Sequence, residues 1–287
     1  MKWRGRRGSS NIEDRRSGGF ASGGARRGGG LKVGGLGAVA IILVGMYFGV
    51  DTSFLLDGSG SPPPQSSAPN RIDDEAEQFV SVVLADTEEV WSAIFANELG
   101  RRYQPPKLVL FSGSTRSSCG AASAATGPFY CPADRSAYLD TDFFATLSRQ
   151  LGAKGDFAQA YVIAHEVAHH VQNVLGVLPE VNRMRAQSPE REANLLSVRV
   201  ELQADCLSGL WTRAAQERFG LLERGDIEEA MNAASRIGDD ALQRRSRGYV
   251  VPDSFTHGTS EQRMRWFETG LRAGSIKECD TFAASRL

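Results

Sequence analysis

The chain has 287 residues, 41% hydrophobic and 23% charged, with a formal net charge of −1; these values exclude a chain disordered throughout and leave room for one large domain with appendages. The near-neutral total hides an asymmetry. Residues 1–32 carry nine Lys/Arg, from Lys2 to Lys32, against Glu13 and Asp14, a balance of +7 that leaves −8 for residues 33–287.

A basic tail can serve nucleic acid, but the apolar run behind it points to a membrane, and no nucleic-acid partner is expected. Residues 33–50, VGGLGAVAIILVGMYFGV, extend 18 positions without a charge. A helix rising about 1.5 Å per residue needs about that length to cross the hydrocarbon core. The basic lead is long for a cleaved signal peptide, and no A-x-A comes after the apolar run. The expectation is one retained transmembrane helix, 33–50, behind a basic cytoplasmic tail, 1–32, oriented by the positive-inside rule. The rest of the chain then lies outside the bacterial cytoplasmic (inner) membrane, single-pass. Residues 51–71, rich in Ser, Gly and Pro, read as a disordered linker. Residues 72–287 form the folded domain.

Within that domain, Phe79, Val82, Val83, Val90, Ile94 and Phe95 supply the buried stripe of a helix over 73–99, which Pro105 and Pro106 end. Residues 108–111, LVLF, read as a short strand. A Gly/Ser/Ala-rich stretch comes next, and 129–131 with 137–139 flank a turn, which predicts a hairpin. After Asp142 the pattern is predominantly helical. The fold class is therefore α+β: a mainly helical domain with a small β-sheet, preceded by the transmembrane helix.

The chemistry concentrates on a helix from Asp156 to about Leu175, where Asp156 and Gln159 suggest a capping box and Gly176 a stop. His165 and His169 are spaced i, i+4, so both imidazoles leave one face and offer two corners of a zinc tetrahedron. Glu166 sits where its carboxylate can take a proton from a water attacking a carbonyl and pass it to a leaving amine. His170 points about 100° away from His169, which suits a hydrogen bond better than ligation. A third ligand is required, and the position six residues after His169 is Leu175, not a histidine. Glu201 is the best candidate, on a second helix over about 192–218, with Asp205 one turn on along the same face. A carboxylate pair inside an apolar helix is costly unless satisfied. The inferred arrangement puts Glu201 on the metal and Asp205 against the far nitrogen of a ligating histidine. Glu190 and Glu192 are weaker rivals.

With these residues in view the chain resembles known proteins. HEVAHH followed by E-L-Q-A-D resembles the gluzincin metallopeptidases, which pair HExxH with ExxxD. More closely, S-S-C-G, T-G-P-F-Y-C-P-A-D, G-D-F-A-Q-A-Y-V-I-A-H-E-V-A-H-H-V-Q, R-V-E-L-Q-A-D-C and P-D-S-F-T-H-G-T-S-E-Q-R are similar to the bacterial putative neutral zinc metallopeptidase family. The resemblance implies a zincin-like domain, one Zn2+ ion and a peptide or protein substrate. Membrane gluzincins of the prenyl-protein-processing and heat-shock types carry T-H-P with an Arg six residues after the His. His257 and Arg263 match that spacing, with Gly258 in place of Pro, and by this likeness would stabilise the oxyanion. The segment from Thr126 to Cys131 would form a sheet edge above the metal, to which a peptide adds as a strand.

Cys119, Cys131, Cys206 and Cys279 suit an oxidising compartment and admit three pairings. Cys119–Cys131 would close a short loop beside the substrate edge; Cys206–Cys279 would tie the C-terminal tail to the Glu201 helix. No CxxC pair supports a Cys-ligated zinc. The functional expectation is a membrane-anchored zinc metallopeptidase. The alternatives are a catalytically silent zinc protein that binds peptides or scaffolds a membrane complex, and a zinc amidase acting on cell-wall material.

Overall fold

The computed structural model describes residues 1–16, 74–123 and 126–287. Local signals set most helix ends. Helix α1 (Glu75–Leu99) starts where the Asp74 side chain accepts from the Glu77 amide and ends at Gly100, whose φ of 61° suits a residue without Cβ. All six residues of the expected stripe are buried. Strand β1 (Ile12–Asp14) precedes α1, and β2 (Lys107–Phe111), β3 (Ser114–Ser117), β4 (Gly120–Ser123), β5 (Phe129–Cys131) and β6 (Ser136–Asp140) come after it. The main sheet has the order β1-β2-β6-β5, with β1 and β6 parallel to β2 and β5 antiparallel to β6; β3 and β4 form a separate hairpin. Leu108 and Leu110 face the main core, while Val109 and Phe111 alternate onto the other face with Cys131 and Tyr138.

The remainder is helical: α2 (Thr141–Arg149), α3 (Asp156–Leu175), α4 (Val177–Arg185), α5 (Glu190–Phe219), α6 (Asp226–Arg236), α7 (Asp239–Arg247) and α8 (Ser260–Arg272). Helices α3 and α5 are central, with Phe157, Tyr161 and Trp211 fully buried in the main core. The capping box expected at Asp156 does not form. Gly155 takes φ 104° at the cap position, and Glu229 of α6 reaches over it to accept from the Phe157 amide at 3.0 Å. Asp156 instead accepts from the Met1 ammonium at 2.7 Å, which also lies 3.2 Å from Glu223 and 3.3 Å from Asp226. Helices α5 and α8 cross at glycines: a Cβ on Gly209 would lie 2.1 Å from the Phe267 carbonyl oxygen, and one on Gly270 1.8 Å from that of Cys206. Side chains at that crossing would force the helices apart.

The N-terminal segment departs most from expectation. Residues 1–16 are not a tail separate from the domain that was placed at 72–287. Met1, Trp3 and Ile12 are buried in the main core, and β1 is a strand of the main sheet. Its arginines face the acidic flank of α1: Arg6 bonds Asp86 at 2.7 Å, Arg7 meets Glu89 at 3.1 Å, and Arg16 bonds Asp14, Asp74 and Glu77. Arg4, Arg6, Arg7, Arg15 and Arg16, part of the positive charge that suggested a topology signal, are matched by carboxylates of the same domain. Because Arg16 bonds Asp74, both ends of the segment 17–73 meet on one body. A single crossing would have separated residues 1–16 from 74–287, but these share one sheet and one core, so the described parts do not lie on opposite sides of a membrane. The structure gives no support to the transmembrane element of the expected fold: among the described residues no helix is long and apolar enough to cross a membrane. The run 33–50 and the linker 51–71 lie outside the described residues.

Candidate metal centre

Helix α3 carries His165, Glu166 and His169 on its buried middle turns, and α5 crosses it with Glu201 and Asp205. One nitrogen each from His165 and His169 and one oxygen of Glu201 lie within 4.8 Å of one another. His165 Nε2 is 3.0 Å from Glu201 Oε2, and His169 Nε2 is 3.6 Å from Glu201 Oε1. Three donors on a tetrahedral zinc at about 2.0–2.1 Å would stand roughly 3.3 Å apart, so this two-nitrogen, one-carboxylate set fits a zinc ion. The rivals Glu190 and Glu192 are exposed at the first turn of α5. His257 does not belong to the group of converging donors.

Behind the three donors lies a second layer. His165 Nδ1 is 3.0 Å from Asp205 Oδ1. Asp205 is completely buried and takes a bidentate pair from Arg263, Nε to Oδ2 at 2.8 Å and Nη2 to Oδ1 at 3.0 Å. The Tyr161 hydroxyl also donates to Asp205 Oδ1. Burial alone would lower the His165 pKa, but the Asp205 and Glu201 carboxylates outweigh it and raise the value to about 9. Burial pushes Asp205 up, yet Arg263 and His165 hold it below the ordinary carboxylate value. The Glu166 carboxyl is raised by burial, against the pull of the two histidines. It forms no hydrogen bond or ion pair with any described residue, which leaves it available to a reactant.

Arg263 is buried behind His165 and forms an ion pair with Asp205. His257 lies near the front of the site: its side chain is half-exposed, and the Glu201 carboxylate helps to raise its pKa after burial lowers it and Asp239 raises it. Its loop is held by one buried carboxylate. Asp239 Oδ2 accepts from the amides of Thr256, His257 and Gly258 at 2.7, 2.6 and 3.0 Å. Gly258 adopts φ 89°, which the ring of a proline forbids, and this accounts for the departure from T-H-P.

His170 makes hydrogen bonds only outside the donor group. Its Nε2 donates to the Gln104 carbonyl at 2.8 Å, and its Nδ1 accepts from the Tyr130 hydroxyl at 3.0 Å, which fastens β5 to α3. Asn173 supports the same hydroxyl at 3.0 Å. Both disulfides, Cys119–Cys131 and Cys206–Cys279, are present. Residues that sequence reasoning did not reach include Tyr161, Gln172 and Asp239. Tyr161 precedes His165 by one turn, a helical spacing that was legible; Asp239 has no such signal because its partners are amides far along the chain.

The chain is 50% identical over 290 residues to the uncharacterized protein YpfJ of Escherichia coli strain K12, covering 99% of this chain and all of the relative. It is 42% identical over 227 residues to the uncharacterized protein Rv2575 of Mycobacterium tuberculosis strain H37Rv, covering 74% of each. No solved structure matches it. The model of the putative neutral zinc metallopeptidase family matches residues 1–282, so it takes in the N-terminal strand as well as the helices that carry His165, His169 and Glu201. The chain belongs to that family.

Proposed function

We propose that the protein hydrolyses peptide bonds at a single zinc ion held by His165, His169 and Glu201. The convergence of those three donors beside an unpaired Glu166 carries this reading. When bound, zinc polarises a substrate carbonyl and lowers the pKa of a coordinated water. Glu166 accepts a proton from the attacking water and delivers it to the departing amine. His257, half-exposed at the front of the site, donates to the oxygen that gains charge. Asp205, locked by Arg263 and Tyr161, holds His165 in one orientation. The outer edge of β5 ends the sheet order and is fastened to α3 through Tyr130, which supports binding of an extended peptide along it.

A peptide-library digest tests the proposal, run with wild type, with a zinc chelator and with Glu166→Gln. Cleavage that chelator and the Glu166→Gln exchange both abolish, while the variant keeps its zinc, is the expected result. Equal turnover by wild type and Glu166→Gln would remove Glu166 from the reaction. A zinc-loaded wild type that cleaves no peptide would favour a silent binding protein or a cell-wall amidase.

A further inference from the structure

The two histidines of the centre are held differently. His165 leans on a carboxylate, but His169 Nδ1 lies 2.8 Å from Oε1 of Gln172, a fully buried neutral amide one turn further along α3. An amide can face a histidine in two ways, and here the surroundings allow one. The Gln172 nitrogen lies 2.8 Å from the Val200 carbonyl and 3.0 Å from Gln203 Oε1. A main-chain carbonyl can only accept, so the Gln172 nitrogen must face it and the oxygen must face His169. Gln203 is oriented by the same rule, since its own nitrogen donates to the Cys279 carbonyl at 3.1 Å. With an acceptor fixed opposite Nδ1, the proton of neutral His169 belongs on Nδ1. The lone pair then belongs on Nε2, whose 3.6 Å separation from Glu201 Oε1 is too long for a hydrogen bond.

We propose that Gln172, oriented by the Val200 carbonyl and by the Gln203–Cys279 link, is the positioning residue that fixes His169 as its Nδ1–H tautomer and so presents Nε2 to the metal. The neutral amide matters as well as the contact. The Asp205 charge is balanced by Arg263, so an amide at 172 leaves Glu201 as the one anion among the three ligands and adds no charge behind His169. A carboxylate at 172 would add a second and face the Val200 carbonyl with an acceptor. Cys279 is disulfide-bonded to Cys206, one turn after Gln203 on α5, so the bond anchors the far end of this link.

The inference rests on the zinc reading for its purpose but not for its test. In the metal-free protein, nitrogen-15 spectra at a pH where His169 is neutral should show it as the Nδ1–H form, whereas a free imidazole side chain prefers Nε2–H. Gln172→Met should restore the Nε2–H form and weaken zinc binding about 10–100-fold, the range for loss of a partner behind a ligand. Gln172→Glu, which keeps the acceptor, should retain the Nδ1–H form. Gln203→Met touches no ligand and keeps the assay usable if Gln172→Met does not fold; it should give a mixture of tautomers and a several-fold loss of zinc affinity. Wild type in the Nε2–H form, or unchanged tautomer and affinity in folded Gln172→Met, would overturn the proposal. A wild type that shows the Nδ1–H form yet retains no zinc would instead refute the metal reading and leave the role of Gln172 standing.

Discussion

Replacing Arg263 by Leu separates two accounts of this residue. The pair it forms with Asp205 is bidentate, at 2.8 and 3.0 Å, between side chains that are 3% and 0% exposed. Removing one partner of such a pair leaves a buried charge uncompensated and costs about 3–5 kcal/mol. Tyr161 and a protonated His165 still contact Asp205, so the lower end of that range is expected. For a domain of this size, about 3 kcal/mol lowers the melting temperature by about 6–12 °C. Asp205→Asn together with Arg263→Leu should be less damaging than Arg263→Leu alone, because no isolated charge remains. Urea unfolding of the metal-free proteins, followed by circular dichroism, measures all three. The clamp reasoning fails if Arg263→Leu changes stability by less than about 0.5 kcal/mol yet cuts peptide turnover about 100-fold. That pattern would mean a guanidinium acting on the reacting oxygen.

Glu201→Ala should abolish tight zinc binding while Glu192→Ala leaves it unchanged, measured by zinc content after dialysis against graded chelator. A folded Glu201→Ala protein that holds zinc as tightly as wild type would exclude Glu201 as a ligand. The pH dependence comes from His165, whose pKa of about 9 exceeds the ordinary 6.5. A raised value means the folded protein holds a proton that the unfolded chain has released. In the metal-free protein this contribution should therefore be fully present below about pH 6.5 and lost as pH rises through 9. Zinc must displace the same proton, so its affinity should rise over this window, with about one proton released per ion near pH 7.5. Calorimetry in buffers of different ionisation enthalpy counts that proton; a count of zero would contradict the His165 assignment.

The parts legible in the sequence were those whose partners lie within one helical turn. His165 and His169, and likewise Glu201 and Asp205, announce a shared face by spacing alone. What failed was the reading of charge. The arginines of the N-terminal segment were counted as a surplus, because composition cannot show that Asp86 and Glu89, far along the chain, are their counterparts. Apolar Met1, Trp3 and Ile12 were hidden among those arginines, too sparse to produce a periodic signal. Arg263 likewise has a partner that spacing alone does not show. Its spacing from His257 suits a pair acting together, but the close glycine crossing of α5 and α8 draws it onto Asp205.

Synthesis delivers β1 first and its partners much later. Residues 12–14 must wait for 108–110, and the Lys2 amide for the Leu221 carbonyl, to which it donates at 2.8 Å. Closing so large a loop costs entropy before any contact rewards it, so such pairings form late. The helical body should assemble first, and the N-terminal strand should then close over it as a latch. Until that moment the acidic side of α1 stands without its arginines, and the edge of β2 lies open to other strands. Crowded nascent chains would be most prone to cross-pairing during this interval. Pulse-labelled hydrogen exchange during refolding can time the step through the Arg15 amide, which donates to the Leu110 carbonyl at 2.8 Å. Protection of that amide should come after protection of α3 and α5; if it came first, the strand would be a nucleus and not a latch.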